Sequence, residues 1–239
     1  MKKDMPGSCV DPGESEDAMT MAFTLINARP SPFGRKVAIA LREKGLAYSV
    51  HYDVPWGEGT CTPQYSPLEQ LPILVTEAGE NVYDSAYILD WLEEKYPAPA
   101  LLPDDVDARL EAGRRRLLGE RLMEVAQSLI FELTRPQPSA PWVDRQTRKI
   151  KGGLAALEAM YTPADRQEAP LDLGDIAVAT TLLGVEFAIA SGLSPEVPVL
   201  AWRDVYPALT ARIAALEIRS SFTETAPALM DVNLQAVVS

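Results

Sequence analysis

Three short segments carry side chains that could do chemistry together. Ser31 closes the breaker-rich run Ala28-Arg29-Pro30-Ser31-Pro32, just where apolar residues begin to recur at helical spacing. A hydroxyl there sits beside backbone N–H groups and the positive end of a helix dipole, both of which favour an anion. A thiol, with an ordinary pKa of about 8.5, is mostly protonated at neutral pH. A donor in such a field would shift it toward the nucleophilic thiolate. A plain helix N-cap explains the same serine equally well. In the second segment, Gln70-Leu71-Pro72-Ile73, a proline opens an apolar run and cannot donate to a sheet. A cis bond before it would turn the Leu71 backbone outward toward a ligand. In the third, Asp84-Ser85 precedes a helical pattern. Its hydroxyl and free N–H groups suit a carboxylate and its acid suits an ammonium, though both residue types are also ordinary caps.

These segments need elements to hold them. Phe23-Thr24-Leu25-Ile26 reads as a buried strand, and Phe33, Val37, Ala40 and Leu41 as a helix stopped at Lys44-Gly45. Residues 48–54 alternate like a second strand, and a Pro- and Gly-containing loop runs from Pro55 to about Pro67. Ile73–Thr76 and Asn81–Tyr83 flank a glycine turn, which predicts a hairpin, and a helix is expected from Ser85 to Lys95. Beyond a Pro-rich linker at 97–103 no strand is expected. Helices are predicted at 105–133, about 142–160, 174–190 and 204–217. A strand-rich half followed by a helical half implies two packed domains.

Composition narrows the function classes. The chain has 239 residues, 47% of them hydrophobic, so a sizeable core is expected rather than disorder. With 22 Lys and Arg against 34 Asp and Glu, the formal charge of −12 disfavours nucleic acid and anionic membranes as partners. The cluster Arg114-Arg115-Arg116 reads as a solvated helix face. No run reaches about 20 apolar residues. Residues 1–20 lack an apolar stretch, so they are expected to be a flexible polar extension and not a secretory signal. Two cysteines, Cys9 and Cys61, make no disulfide framework and fit a reducing cytoplasm, with Cys61 expected as an exposed loop thiol. One histidine, His51, and no Cys/His cluster argue against a structural metal.

Taken together, SPFGRKVAIALREKGLAY, QLPILV and DSAYILDWLEEKYP resemble the cytosolic glutathione transferase superfamily in its serine-type bacterial members, over about residues 22–230. Asp172-Leu173-Gly174-Asp175-Ile176 resembles that family's capping box, with Asp172 where Ser or Thr is usual. The resemblance implies a thioredoxin-like α/β N-terminal domain at 21–99 and an all-α helical domain at 104–232. It also implies a detoxifying transferase that uses glutathione as co-substrate, acts on a small hydrophobic electrophile, needs no metal and forms a homodimer. Position by position, it implies that Ser31 contacts the glutathione sulfur. Leu71, next to Pro72, would bind the cysteinyl part, Asp84 and Ser85 the γ-glutamyl end, and Gln70 the glycine carboxylate. Phe33 would border the electrophile pocket, together with Arg114, Leu118 and Trp142 from the helical half. A glutathione-fold carrier and a thiol oxidoreductase are the rival readings. The second would need a cysteine where Ser31 stands, or Cys61 close to the site.

Overall fold

The structure, a computed structural model, describes residues 23–233; the expected extension over residues 1–20, with Cys9, lies outside them. The chain opens with strand β1 (Phe23–Asn27), helix α1 (Pro32–Glu43) and strand β2 (Tyr48–Tyr52). The short helix α2 (Thr62–Tyr65) interrupts the next loop, and β3 (Ile73–Thr76), β4 (Asn81–Val82) and α3 (Ser85–Lys95) follow. The sheet order is β2-β1-β3-β4, with β1 and β2 parallel and the other pairings antiparallel. A parallel pair needs a crossover, which α1 supplies. This is the thioredoxin-like arrangement.

Among the described residues only helices follow: α4 (Val106–Leu133), α5 (Ala140–Tyr161), α6 (Ala164–Glu168), α7 (Leu173–Ala190), a 3-10 turn (Pro198–Leu200), α8 (Pro207–Glu217) and α9 (Ser220–Thr223). Every residue of α1 from Gly34 to Leu41 is buried, because the sheet covers one side and the helical half the other. Helix α7 is apolar on all sides, the pattern of a helix buried all round. By length and hydropathy it could cross a membrane, yet two thirds of it (67%) is buried within the fold. Gly119 lets α4 meet α7 backbone to backbone, since a Cβ there would lie 2.9 Å from the carbonyl carbon of Ala177 and from the Val178 nitrogen.

The capping box at α7 is formed. Asp175 N–H donates to Asp172 Oδ1 at 2.9 Å, and Asp172 N–H donates back to Asp175 Oδ2 at 3.3 Å. Around it lies an ion network that the sequence pattern did not show. Arg115 reaches Asp172 at 2.6 Å, and Arg166 and Arg212 both bind Asp175. The solvated face expected at Arg114–Arg116 therefore holds only for Arg114. Arg115 is 4% exposed, and Arg116 is held by Asp90, Glu120 and the Ala86 carbonyl.

Candidate functional site

A cleft of about 660 Å³ opens between the sheet half and helices α4 and α7. Ser31, Phe33, Gln70, Leu71, Asp84 and Ser85 all border it, so the three segments singled out in the sequence meet on one wall. Pro72 is the exception. It is buried behind Leu71 at the start of β3 and takes no part in the wall, and the Leu71–Pro72 bond is cis.

Ser31 is half-buried at the N-cap of α1, where its Oγ accepts from Gly34 N–H at 3.3 Å. That bond uses a lone pair and leaves the hydroxyl hydrogen free to donate. Pro32 has no N–H and the Gly34 N–H is taken, so the Phe33 N–H is the unclaimed donor at this helix end. Asn27, the other donor near this turn, faces away. Its amide fills the space above Gly34, where a Cβ would sit 1.8 Å from Oδ1, and it does not border the cleft. Asp84 caps α3 by accepting from Ala86 and Tyr87 N–H at 3.0 and 3.2 Å. Ser85 is buried at the first turn of that helix, and its hydroxyl makes no bond to the described residues.

The opposite wall is built by side chains of two helices. Met123, Gln127, Ile130 and Phe131 come from α4, and Val185 and Ala188 from α7. Gly184, also on this wall, brings α7 close to the Ser31 turn; a Cβ there would meet Pro32 Cβ at 2.9 Å. Lys36 sits at the seam, 3% exposed, with Nζ 2.6 Å from Glu120. Burial lowers the pKa of this ammonium, and the Glu120 carboxylate only partly restores it.

Three residues expected on the electrophile side lie elsewhere. Arg114 is exposed, pairs with Glu111 and precedes Arg121, the first cation of α4 on the wall, by seven residues, about 10 Å of helix. Leu118 turns into the core, and Trp142 belongs to α5, which supplies nothing to the cleft. Cys61 is also corrected. It is 3% exposed, its Sγ lies 3.5 Å from both His51 Nε2 and Asp53 Oδ2, and it is not on the cleft wall.

Two features of the rim were not foreseen. Glu69 holds a left-handed backbone (φ 52) just before Gln70, an uncommon state for a residue with a Cβ. Trp56 Nε1 donates to the Val232 carbonyl, so the C-terminal segment is tied across the mouth. No local pattern announces a bond between residues so far apart in sequence.

Residues 25–100 match the family profile described as the N-terminal domain of glutathione S-transferases. The chain is 31% identical over 206 residues to YibF, an uncharacterized GST-like protein of Escherichia coli K12, spanning 85% of this chain and 98% of that one. Among solved structures, it resembles a glutathione S-transferase from Methylobacterium radiotolerans in complex with glutathione sulfonate. That match has 40% identity and a TM-score of 0.79, over 88% of this chain and 97% of the other. A second, from Methylobacillus flagellatus with glutathione bound, is 26% identical with a TM-score of 0.76, over 87% and 100% of the two chains.

Proposed function

The chain belongs to the glutathione S-transferase superfamily, and we propose from that membership that its cleft binds glutathione and activates the thiol for attack on a small hydrophobic electrophile. The observation that carries this reading is the convergence of Ser31, Leu71 and the Asp84–Ser85 pair on one wall. In the proposed complex Ser31 donates to the sulfur while the Phe33 N–H and the α1 dipole add to the field. The Leu71 backbone pairs with the cysteinyl residue. The hydroxyl and N–H of Ser85 take the γ-glutamyl carboxylate, Asp84 takes the ammonium through the oxygen not used in capping, and Gln70 takes the glycine carboxylate. Met123, Ile130, Phe131, Val185 and Ala188 offer the electrophile an apolar surface. The cations on this wall, Lys36 and Arg121, are already matched by Glu120 and Glu124, which favours an uncharged second substrate. The setting that goes with this reading is the cytoplasm, and the role is detoxification.

Glutathione at about a hundred times its dissociation constant should stabilise the fold by about 2.7 kcal/mol, raising the melting temperature by roughly 5–10 °C. Thermal melting paired with calorimetric titration checks this. No shift together with no heat of binding would remove the assignment.

The proposed homodimer rests on one exposed apolar strip. Val106, Leu110 and Leu117 share a face of α4, and each is more than half exposed. Light scattering should give twice the 26.1 kDa chain mass, and Leu110→Asp should shift it toward one chain. A wild-type monomer at micromolar concentration would refute the dimer.

A further inference from the structure

A second groove, about 860 Å³, lies along another face of α1 and shares no lining residue with the cleft. Its floor is one face of the edge strand β2, where Tyr48, Val50 and Tyr52 alternate outward. Val50 and Tyr52 are 38% and 41% exposed, so this aromatic ledge is open to a ligand.

Four guanidinium groups border the groove against two carboxylates. Arg219 is paired with Glu43, and Arg42 with Glu224. Arg29 and Arg35 form no salt bridge among the described residues, and the charge nearest in effect to Arg35, Glu217, is itself bound by Arg203. Arg29 lies over the Tyr52 ring, 4.2 Å from its centroid. Arg35 is 8% exposed, donates one Nη to the Phe222 carbonyl at 3.1 Å, and keeps a buried Nε with no acceptor. Burial lowers its pKa to about 10, which still leaves it charged at neutral pH.

The backbone sets both arginines around Asn27, at the end of the groove where β1 stops. Asn27 is the register partner of Tyr52, on which Arg29 stacks, and Asn27 packs over Gly34, the neighbour of Arg35. Asn27 Oδ1 is also buried without a donor. Two arginines without a salt bridge lining a groove floored by an aromatic ledge, in a chain of formal charge −12, are the reverse of the molecule's general character. Guanidinium forks match the paired oxygens of carboxylates and phosphates. We propose that this end of the groove binds the oxyanion head of a small ligand, a carboxylate or a phosphate, whose apolar body lies along Tyr52, Val50 and Tyr48. The site is independent of glutathione binding.

Calorimetric titration of the whole chain with phenyl phosphate, benzoate and neutral benzyl alcohol tests this. At least one of the two anions should bind at a single site while the alcohol gives no saturable heat, and the better anion identifies the head group. Arg29 is exposed, so Arg29→Ala should fold, and it should weaken the anion by about tenfold or more. Its melting temperature and its response to glutathione should be unchanged. The Arg35 Nε–H resonance should move on titration in the wild type. Three results would overturn the proposal: no saturable heat with either anion at about 10 mM, equal binding of the alcohol, or anion binding that is competed by glutathione and indifferent to Arg29→Ala.

Discussion

Ser31→Ala should slow conjugation of glutathione to a generic electrophile by about ten- to a hundredfold at neutral pH, the effect of losing one donor to a charged sulfur worth roughly 1.5–3 kcal/mol. The pKa of the bound thiol should rise in parallel, because the donor favours the thiolate and its removal favours the protonated form. Thiolate absorbance followed against pH, alongside the rate, reads both. The same hydroxyl caps α1 through Gly34, so some loss of activity could come from a frayed helix. Ser31→Asp separates the two roles. An aspartate caps as well as a serine, but it places a negative charge beside the thiolate and donates nothing. It should melt near the wild type and be at least as slow as the alanine variant. If Ser31→Asp kept the wild-type rate, Ser31 would be a cap alone, and the Phe33 N–H would be the donor to examine next. Ser31→Cys should instead lose conjugation and gain thiol–disulfide exchange.

The largest loss of stability is expected from Asp175→Ala. Asp175 is fully buried and receives Arg166, Arg212 at 2.6 Å, the Tyr161 hydroxyl at 2.9 Å and the Asp172 N–H. Removing it leaves the buried Arg212 guanidinium without a carboxylate, while Arg166 keeps Asp172 at 3.2 Å, at a cost of about 3–5 kcal/mol, or roughly 10 °C in melting temperature. A melt within about 2 °C of the wild type would show that the arginines find other partners. Burial alone would raise this carboxyl's pKa, but the hydrogen bond from Arg212 and the charges of Arg166 and Arg212 outweigh it and hold it below the ordinary carboxylate value. A folded pKa below the unfolded one means stability that is fully present above the unfolded value of about 3.9. It is lost as the pH falls through the lower folded value. The gap in melting temperature between wild type and Asp175→Ala should therefore be constant near neutrality and shrink only in strong acid.

Most of the element order could be read from the sequence because its punctuation is local. Gly45, Pro72, Gly79 and Pro97 bound elements on their own, and the helix expected from Ser85 to Lys95 is α3. The residues that meet on the first wall of the cleft could be singled out for the same reason. Ser31 and Asp84 are caps and Leu71 precedes a proline, so each announces itself by its neighbours. The opposite wall has no such punctuation. Helix α4 presents apolar residues to α5, to α7 and to the cleft at once, and periodicity cannot tell three faces apart. Arg115 failed as a surface residue because its partner, Asp172, is 57 positions away. Cys61 was misplaced because the turn around it is pulled inward by Asp53, whose Oδ2 accepts from Thr60, Cys61 and Thr62.

The two walls of the cleft also differ in how they can change over generations. One consists largely of caps, backbone groups and a turn, where most substitutions disturb the chain path itself. The other is a set of side chains on α4 and α7 whose helices are secured elsewhere, by Gly119 and by the ion network at the start of α7. Selection can therefore rewrite Met123, Gln127, Ile130, Phe131 and Ala188 one at a time while the first wall is inherited intact. Lineages built on this plan should share their first substrate and diverge in their second, and Gly184, which has no room for a side chain beside Pro32, should resist that drift.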